Sequence, residues 1–209
     1  MRVCVVGAGA IGGFLGTRLA LEGSAQVSAL ARGATLLALR TEGWRLEQDG
    51  VLARAAVAQA SDDPRALGPQ DLVVIAVKSP ALPALAPTLA PLLASRTLVL
   101  PAMNGVPWWF GAGIPALGAR PLESVDPAGR IAAAIPATQV IGCVVHASAA
   151  TAAPGITRHR MGRGLIVGEP SGAESERVRD LSALLSRAGF EVTISPRIRY
   201  DIWYKLWAT

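Results

Sequence analysis

Short continuous apolar runs alternate along the chain with stretches whose apolar positions recur every three or four residues, the patterns left by buried strands and amphipathic helices. MRVCVV is a β-branched run ending at Gly7, and AIGGFLGTRLALEG follows with helical spacing until Gly23 stops it. AQVSALA predicts a second buried strand and RGATLLALRTEG a helix. WRLEQDGVLARAAV alternates about Asp49-Gly50, a strong hairpin signal. DLVVIAV is the clearest central strand. The helix expected from Ser79 has Pro80 in its first turn, where proline is tolerated, whereas Pro87 and Pro91 should kink or shorten it.

RTLVLPAM predicts another strand, after which Asn104-Gly105 opens an irregular stretch carrying Trp108, Trp109 and Phe110. Asp126-Pro127 reads as the N-cap and first turn of a short helix. TQVIGCVVHA predicts a strand, GITRHRMGRGLIVGE a hairpin about a glycine-containing turn, ESERVRDLSALLSRAGF an amphipathic helix and EVTIS a short strand. RIRYDIWYKLWAT reads as the first turns of a further helix with no stop signal before Thr209. Strands alternating with helices imply an α/β fold with a Rossmann-like, doubly wound, mostly parallel sheet and added hairpins.

Composition fits that class. The 209 residues are 51% hydrophobic and 17% charged, too apolar for a disordered chain. The formal charge of +5 comes from arginines scattered without a basic run, which favours anionic small molecules and argues against a nucleic-acid partner. Cys4 and Cys143 each sit in an apolar run and read as packing residues, and His146 and His159 have no neighbours at ligand spacing, so no metal site is expected. The glycines after Arg2 would break the apolar helix of a signal peptide, and the apolar stretch Pro80 to Leu93 is too short and too proline-interrupted to span a bilayer. A cytoplasmic protein without a membrane partner is the expectation.

Gly7-x-Gly9-x-x-Gly12 lies between the first strand and the first helix, the context in which such spacing predicts a dinucleotide site. Gly7 allows the tight turn, Gly9 lets the backbone approach a pyrophosphate, and Gly12 lets helix and strand pack closely. The turn and the free N–H groups after it, spanning Gly7, Ala8, Gly9, Ala10, Ile11 and Gly12, would face the anion. The second strand ends in Leu30-Ala31-Arg32, with no acid to accept the adenosine ribose hydroxyls, and Arg32 suits a 2′-phosphate, which favours NADP over NAD. Only two lysines accompany the arginines: Lys78, which ends the strand DLVVIAVK, and Lys205, within DIWYKLW. A desolvated lysine can be tuned to release a proton and an arginine cannot, so both are candidates for chemistry.

Taken together, VVGAGAIGGFLGTRLALEG, LVVIAVKSPAL, MNGVPWW, VIGCVVHASAATAAPGITRHRMGRGLIVGE and DIWYKLW resemble the ketopantoate reductases (2-dehydropantoate 2-reductases), in order over essentially the whole chain. The resemblance implies NADPH at Gly7 to Gly12 with Arg32 on its 2′-phosphate and Lys78 near cofactor and substrate. It further implies Asn104 beside the nicotinamide and substrate, Ser148 in a segment whose backbone meets the cofactor, and Lys205 as the catalytic lysine. The implied reaction is NADPH-dependent reduction of the 2-keto acid ketopantoate to pantoate, in pantothenate and coenzyme A biosynthesis. That family continues beyond the Lys-Leu element into a helical domain holding further substrate residues and much of a homodimer contact. Residues 1–196 are therefore expected to be the NADP-binding domain and 197–209 the first turns of the second. The chain is expected to bind NADPH, to reduce ketopantoate poorly by itself, and to expose an apolar face at Trp203, Leu206 and Trp207. Two other readings stay open: a paralogue reducing another 2-keto acid, its pocket reshaped by Trp108, Trp109 and Phe110, and a non-catalytic NADP-binding module.

Overall fold

The computed structural model describes residues 1–117 and 121–207; the predicted end of the last helix, at Ala208 and Thr209, lies outside the described residues. β1 (Arg2–Val6) sends Val3 and Val5 into one core and Cys4 and Val6 into another, so its unbroken apolar run is what burial on both faces demands. Gly7 turns the chain at φ +90° into α1 (Ala10–Glu22), and Gly23 ends that helix in the left-handed region at φ 86°. β2 (Gln26–Leu30) and α2 (Gly33–Glu42) repeat the unit before the hairpin of β3 (Trp44–Gln48) and β4 (Val51–Ala55). Its turn residues Asp49 and Gly50, at φ 52° and 77°, have the paired positive values of a tight two-residue hairpin.

β5 (Ala60–Ser61), α3 (Pro64–Leu67) and β6 (Leu72–Ile75) lead into the proline-rich segment. There α4 (Leu82–Leu85) is a single turn between 3₁₀ stretches at Ser79–Ala81 and Ala86–Leu92, so the prolines do shorten the helix. β7 (Leu98–Pro101) precedes the irregular stretch and α5 (Arg130–Ala134). The buried Asp126 carboxylate accepts hydrogen bonds from the N–H groups of Ile131 (2.7 Å) and Ala132 (3.0 Å). Asp126 thus stands at the N-cap position of the 3₁₀ turn Pro127–Gly129, as the sequence suggests, while its side chain caps α5 one turn later. β8 (Gly142–Ala153), β9 (Ile156–Gly168), α6 (Glu176–Arg187), β10 (Glu191–Ile194) and α7 (Ile198–Trp207) complete the described chain.

The first sheet is parallel in the order β5-β2-β1-β6-β7, the doubly wound arrangement read from the sequence. A second sheet, β10-β9-β3-β4 with β8 antiparallel to β9, covers α1 from its other side. Small residues make this closeness possible: a Cβ on Gly13 would lie 2.0 Å from Thr157 Oγ1 and one on Gly16 2.5 Å from the Trp44 ring. GITRHRMGRGLIVGE is not a hairpin by itself. Nearly all of it is the single strand β9, and the reversal lies earlier, at Pro154-Gly155, between β8 and β9. Gly162 is at φ 74° opposite a register shift in β8, and a Cβ there would meet His146 O at 2.5 Å, so this glycine serves a bulge and not a turn. Among the described residues no helix is long and apolar enough to cross a membrane.

Candidate functional site

The glycine turn sits at the carboxyl edge of β1, where the Gly7 N–H donates to Leu30 O (3.0 Å) and draws the ends of β1 and β2 together. A Cβ on Gly12 would stand 1.9 Å from Gly7 O, so Gly12 is required for the turn to lie on its own helix. Gly9 differs: a Cβ there would meet nothing within 4 Å and would project into open space. No side chain caps the N-terminus of α1 and its first turn carries no acid, so the positive end of the helix faces that space uncompensated.

The space is a cleft of about 1070 Å³, bordered by Gly7, Ala8, Gly9, Arg32, Val77 and Thr151 among others. Its volume and its uncapped helix end fit a dinucleotide. Arg32 is exposed at the start of α2, and its side chain makes no hydrogen bond or ion pair among the described residues. Ala10 and Ile11 are half-buried in the first turn of α1 and do not line the cleft with their side chains, while Gly12 is buried in the packing beneath it. Thr35, Asp62, Asp63, Arg65 and Thr151 line the same cleft and were not anticipated.

A second constellation lies beyond the cleft. Lys205 Nζ donates to Asn104 Oδ1 (2.7 Å) and to Val145 O (2.6 Å), joining residues 101 positions apart in sequence. Lys205 and Asn104, with Met103, Cys143 and Ile202, border a pocket of about 160 Å³. Burial pushes the Lys205 ammonium below the usual lysine range, with Cys143 acting weakly in the other direction. The same burial pushes the Cys143 thiol up to about 12, so it stays protonated and packs, as its apolar run implied. The segment after β6 borders both places: Val77 and Ala81 face the cleft, while Ser79 donates its hydroxyl to Asn104 O (3.1 Å).

Other candidates fall outside these two groups. Lys78 lies three residues past the end of β6 instead of ending it; its side chain is exposed and lines neither the cleft nor the Lys205 pocket. Ser148 sits at the β8 bulge, paired with Met161 and away from both. Trp108 and Trp109 are core residues: the first donates from Nε1 to Ile135 O (3.2 Å), and the second is 1% exposed. Trp203 and Trp207 are 49% and 79% exposed, and with Leu206 they form the apolar face expected of α7. Among the described residues no group of three or more His, Cys, Asp or Glu side chains is placed to hold a metal ion.

Residues 3–172 match the family described as Ketopantoate reductase PanE/ApbA. The chain is 43% identical to the 2-dehydropantoate 2-reductase of Mesorhizobium japonicum over 209 residues, which cover 99% of this chain and 64% of that protein. A crystal structure of a candidate ketopantoate reductase from Ralstonia solanacearum superposes with a TM-score of 0.93 at 52% identity, over 99% of this chain and 64% of that one. A PanE/ApbA family ketopantoate reductase from Ralstonia eutropha superposes with a TM-score of 0.78 at 29% identity, over 99% of this chain and 60% of that one. The chain thus spans just under two thirds of the length of these relatives.

Proposed function

The chain belongs to the ketopantoate reductase PanE/ApbA family, and on that premise we propose that it carries the NADPH cleft and the proton-donating lysine of an enzyme reducing ketopantoate to pantoate. In this reading residues 1–196 are the nucleotide-binding domain, and residues from 197 onward begin a second, substrate-binding one. The observation that carries it is the bond from Lys205 to Asn104, which joins the two residues most selective for this chemistry at a half-buried pocket beside the cleft.

The N–H groups at the start of α1 would hold the pyrophosphate across Gly9, and Arg32 would hold the 2′-phosphate. A nicotinamide held in the cleft would supply the hydride for the C2 carbonyl. Asn104 Oδ1 and Val145 O hold the Lys205 ammonium in place by accepting its hydrogen bonds. Lys205 polarises the carbonyl oxygen and passes its proton from Nζ to the alkoxide that develops there. Its lowered proton affinity, a consequence of burial, makes it a stronger acid than a surface lysine.

The test is ketopantoate-dependent NADPH oxidation by the full-length gene product. Lys205→Ala should lower turnover by roughly a hundredfold or more while leaving the NADPH Kd within about twofold. Unchanged turnover in that variant, or a wild-type protein without turnover on any 2-keto acid, would refute the assignment.

A further inference from the structure

At the adenosine end of the cleft, β2 and β5 run side by side. The Ala31 N–H donates to Ser61 O (3.0 Å), and Leu30 pairs with Ser61 in register. The residues that follow on the two strands therefore emerge together, Arg32 after β2 and Asp62, Asp63 and Arg65 after β5, and all four line the cleft. Arg65 is docked from one side only: its Nε donates to both carboxylate oxygens of Asp63, at 3.0 and 3.2 Å. Asp63 also accepts the Arg65 backbone N–H at 3.0 Å, so the carboxylate is fixed by the chain that it holds. Neither Nη of Arg65 makes a hydrogen bond among the described residues, and the side chain is 81% exposed. A planar guanidinium anchored through Nε presents its two Nη groups outward as a paired donor.

We propose that Arg65, aimed by Asp63, is a second guanidinium contact beside Arg32 for the 2′-phosphate of the bound nucleotide. The inference rests on the reading of this cleft as an NADPH site and adds the residue that completes its selectivity. The formal charges of the four rim residues, two arginines and two aspartates, cancel, so the net field at the rim does not select a phosphate over a hydroxyl. Selection must come from directed bonds. Asp62, exposed and with no side-chain hydrogen bond or ion pair among the described residues, suits a ribose hydroxyl and repels a phosphate, so it opposes Arg32 directly. A phosphate group offers three oxygens, enough for two forks, and the second fork tips the balance toward the phosphorylated ribose.

The 209-residue chain and its Arg32→Ala, Arg65→Ala and double variants are titrated with NADPH and, separately, with NADH, following nicotinamide fluorescence. Arg65→Ala keeps the backbone N–H that Asp63 caps, so α3 is preserved. It should weaken NADPH by about tenfold and NADH by less than about twofold, with the double variant losing the preference for NADPH altogether. Equal effects on both cofactors, or no effect on either, overturn the role of Arg65 while leaving the cofactor reading intact. A wild-type chain that binds neither nucleotide overturns both.

Discussion

Replacing Gly9 and Gly12 by alanine, one at a time, separates what the glycine turn does for folding from what it does for a ligand. At Gly9 the added methyl meets no protein atom within 4 Å, so packing does not oppose alanine there. At Gly12 the methyl would stand 1.9 Å from Gly7 O and 3.1 Å from Ala76 Cβ, both of them fixed at the sheet edge. Overpacking of this kind costs about 1–3 kcal/mol or more, which for a chain of this size lowers Tm by roughly 2–4 °C per kcal/mol. The ligand reverses the ranking. A methyl on Gly9 occupies the approach of a pyrophosphate oxygen to the helix N–H groups, and each charge-assisted bond lost costs about 1.5–3 kcal/mol, roughly 10- to 150-fold in Kd. Thermal melts without cofactor and NADPH titrations of the two variants decide the matter. If Gly9→Ala melts as low as Gly12→Ala, or binds NADPH with wild-type affinity, the division of labour argued from the turn is wrong.

Lys205 must be protonated to donate, and burial lowers its proton affinity, so the full-length enzyme should lose activity as pH rises through a value below the ordinary 10.5; a basic limb at or above 10.5 would contradict this. The same shift makes Lys205 bind fewer protons in the folded chain than in the unfolded one between its lowered value and 10.5, so its contribution to stability rises with pH across that window. Arg199 donates to Phe110 O (2.8 Å), Ala112 O (2.5 Å) and Pro170 O, bracing α7 against the segment that begins at Asn104. Arg199→Ala should cost about 2–3 kcal/mol in urea denaturation, with Arg199→Lys recovering less than half, and a loss under about 0.5 kcal/mol would show the brace to be idle. Burial raises the proton affinity of Glu169, yet hydrogen bonds from Arg177 and Ser175 outweigh it and hold the carboxyl below the usual range. Its contribution is therefore present above pH 4.5 and lost as pH falls through the lowered value. Arg177→Ala should destabilise the chain by about 2–3 kcal/mol at neutral pH and move its acid unfolding to higher pH, as read by circular dichroism.

The first sheet was legible because β1, β6 and β7 are apolar on both faces and β2 is apolar on one, and such runs have few alternatives to a central strand. The hairpin at Asp49-Gly50 was legible from turn chemistry alone. β9 was misread because Gly162 signals a local departure from the ladder without saying whether the chain reverses there. The pairing of β9 with both β3 and β10 is a tertiary choice that no local pattern records. β5 is only Ala60-Ser61, too short to leave a periodic trace, and so the rim residues Asp62, Asp63 and Arg65 could not be placed opposite Arg32 from sequence. The resemblance named Lys205 and Asn104 singly, and their hydrogen bond was not legible, since nothing in either neighbourhood specifies a partner 101 residues away. Lys78 kept its place in the chain but not at the strand's end, because the ladder stops at Ile75.

The ribbon of β8 and β9 also bears on how the chain is made. β8 begins next to β7, where the Ile141 N–H donates to Val99 O (3.0 Å), and its partner β9 supplies the neighbour that β3 needs, with ion-paired Glu47 and Arg158 separated by 111 positions. During synthesis, β3 and β4 leave the ribosome long before that neighbour exists. Until then Trp44 and the glycine face of α1 lack the cover of β9, and one edge of β3 is unpaired. A nascent chain stopped before Ile156 should therefore be the species that recruits chaperones or aggregates, and release of that hazard should coincide with the emergence of β9.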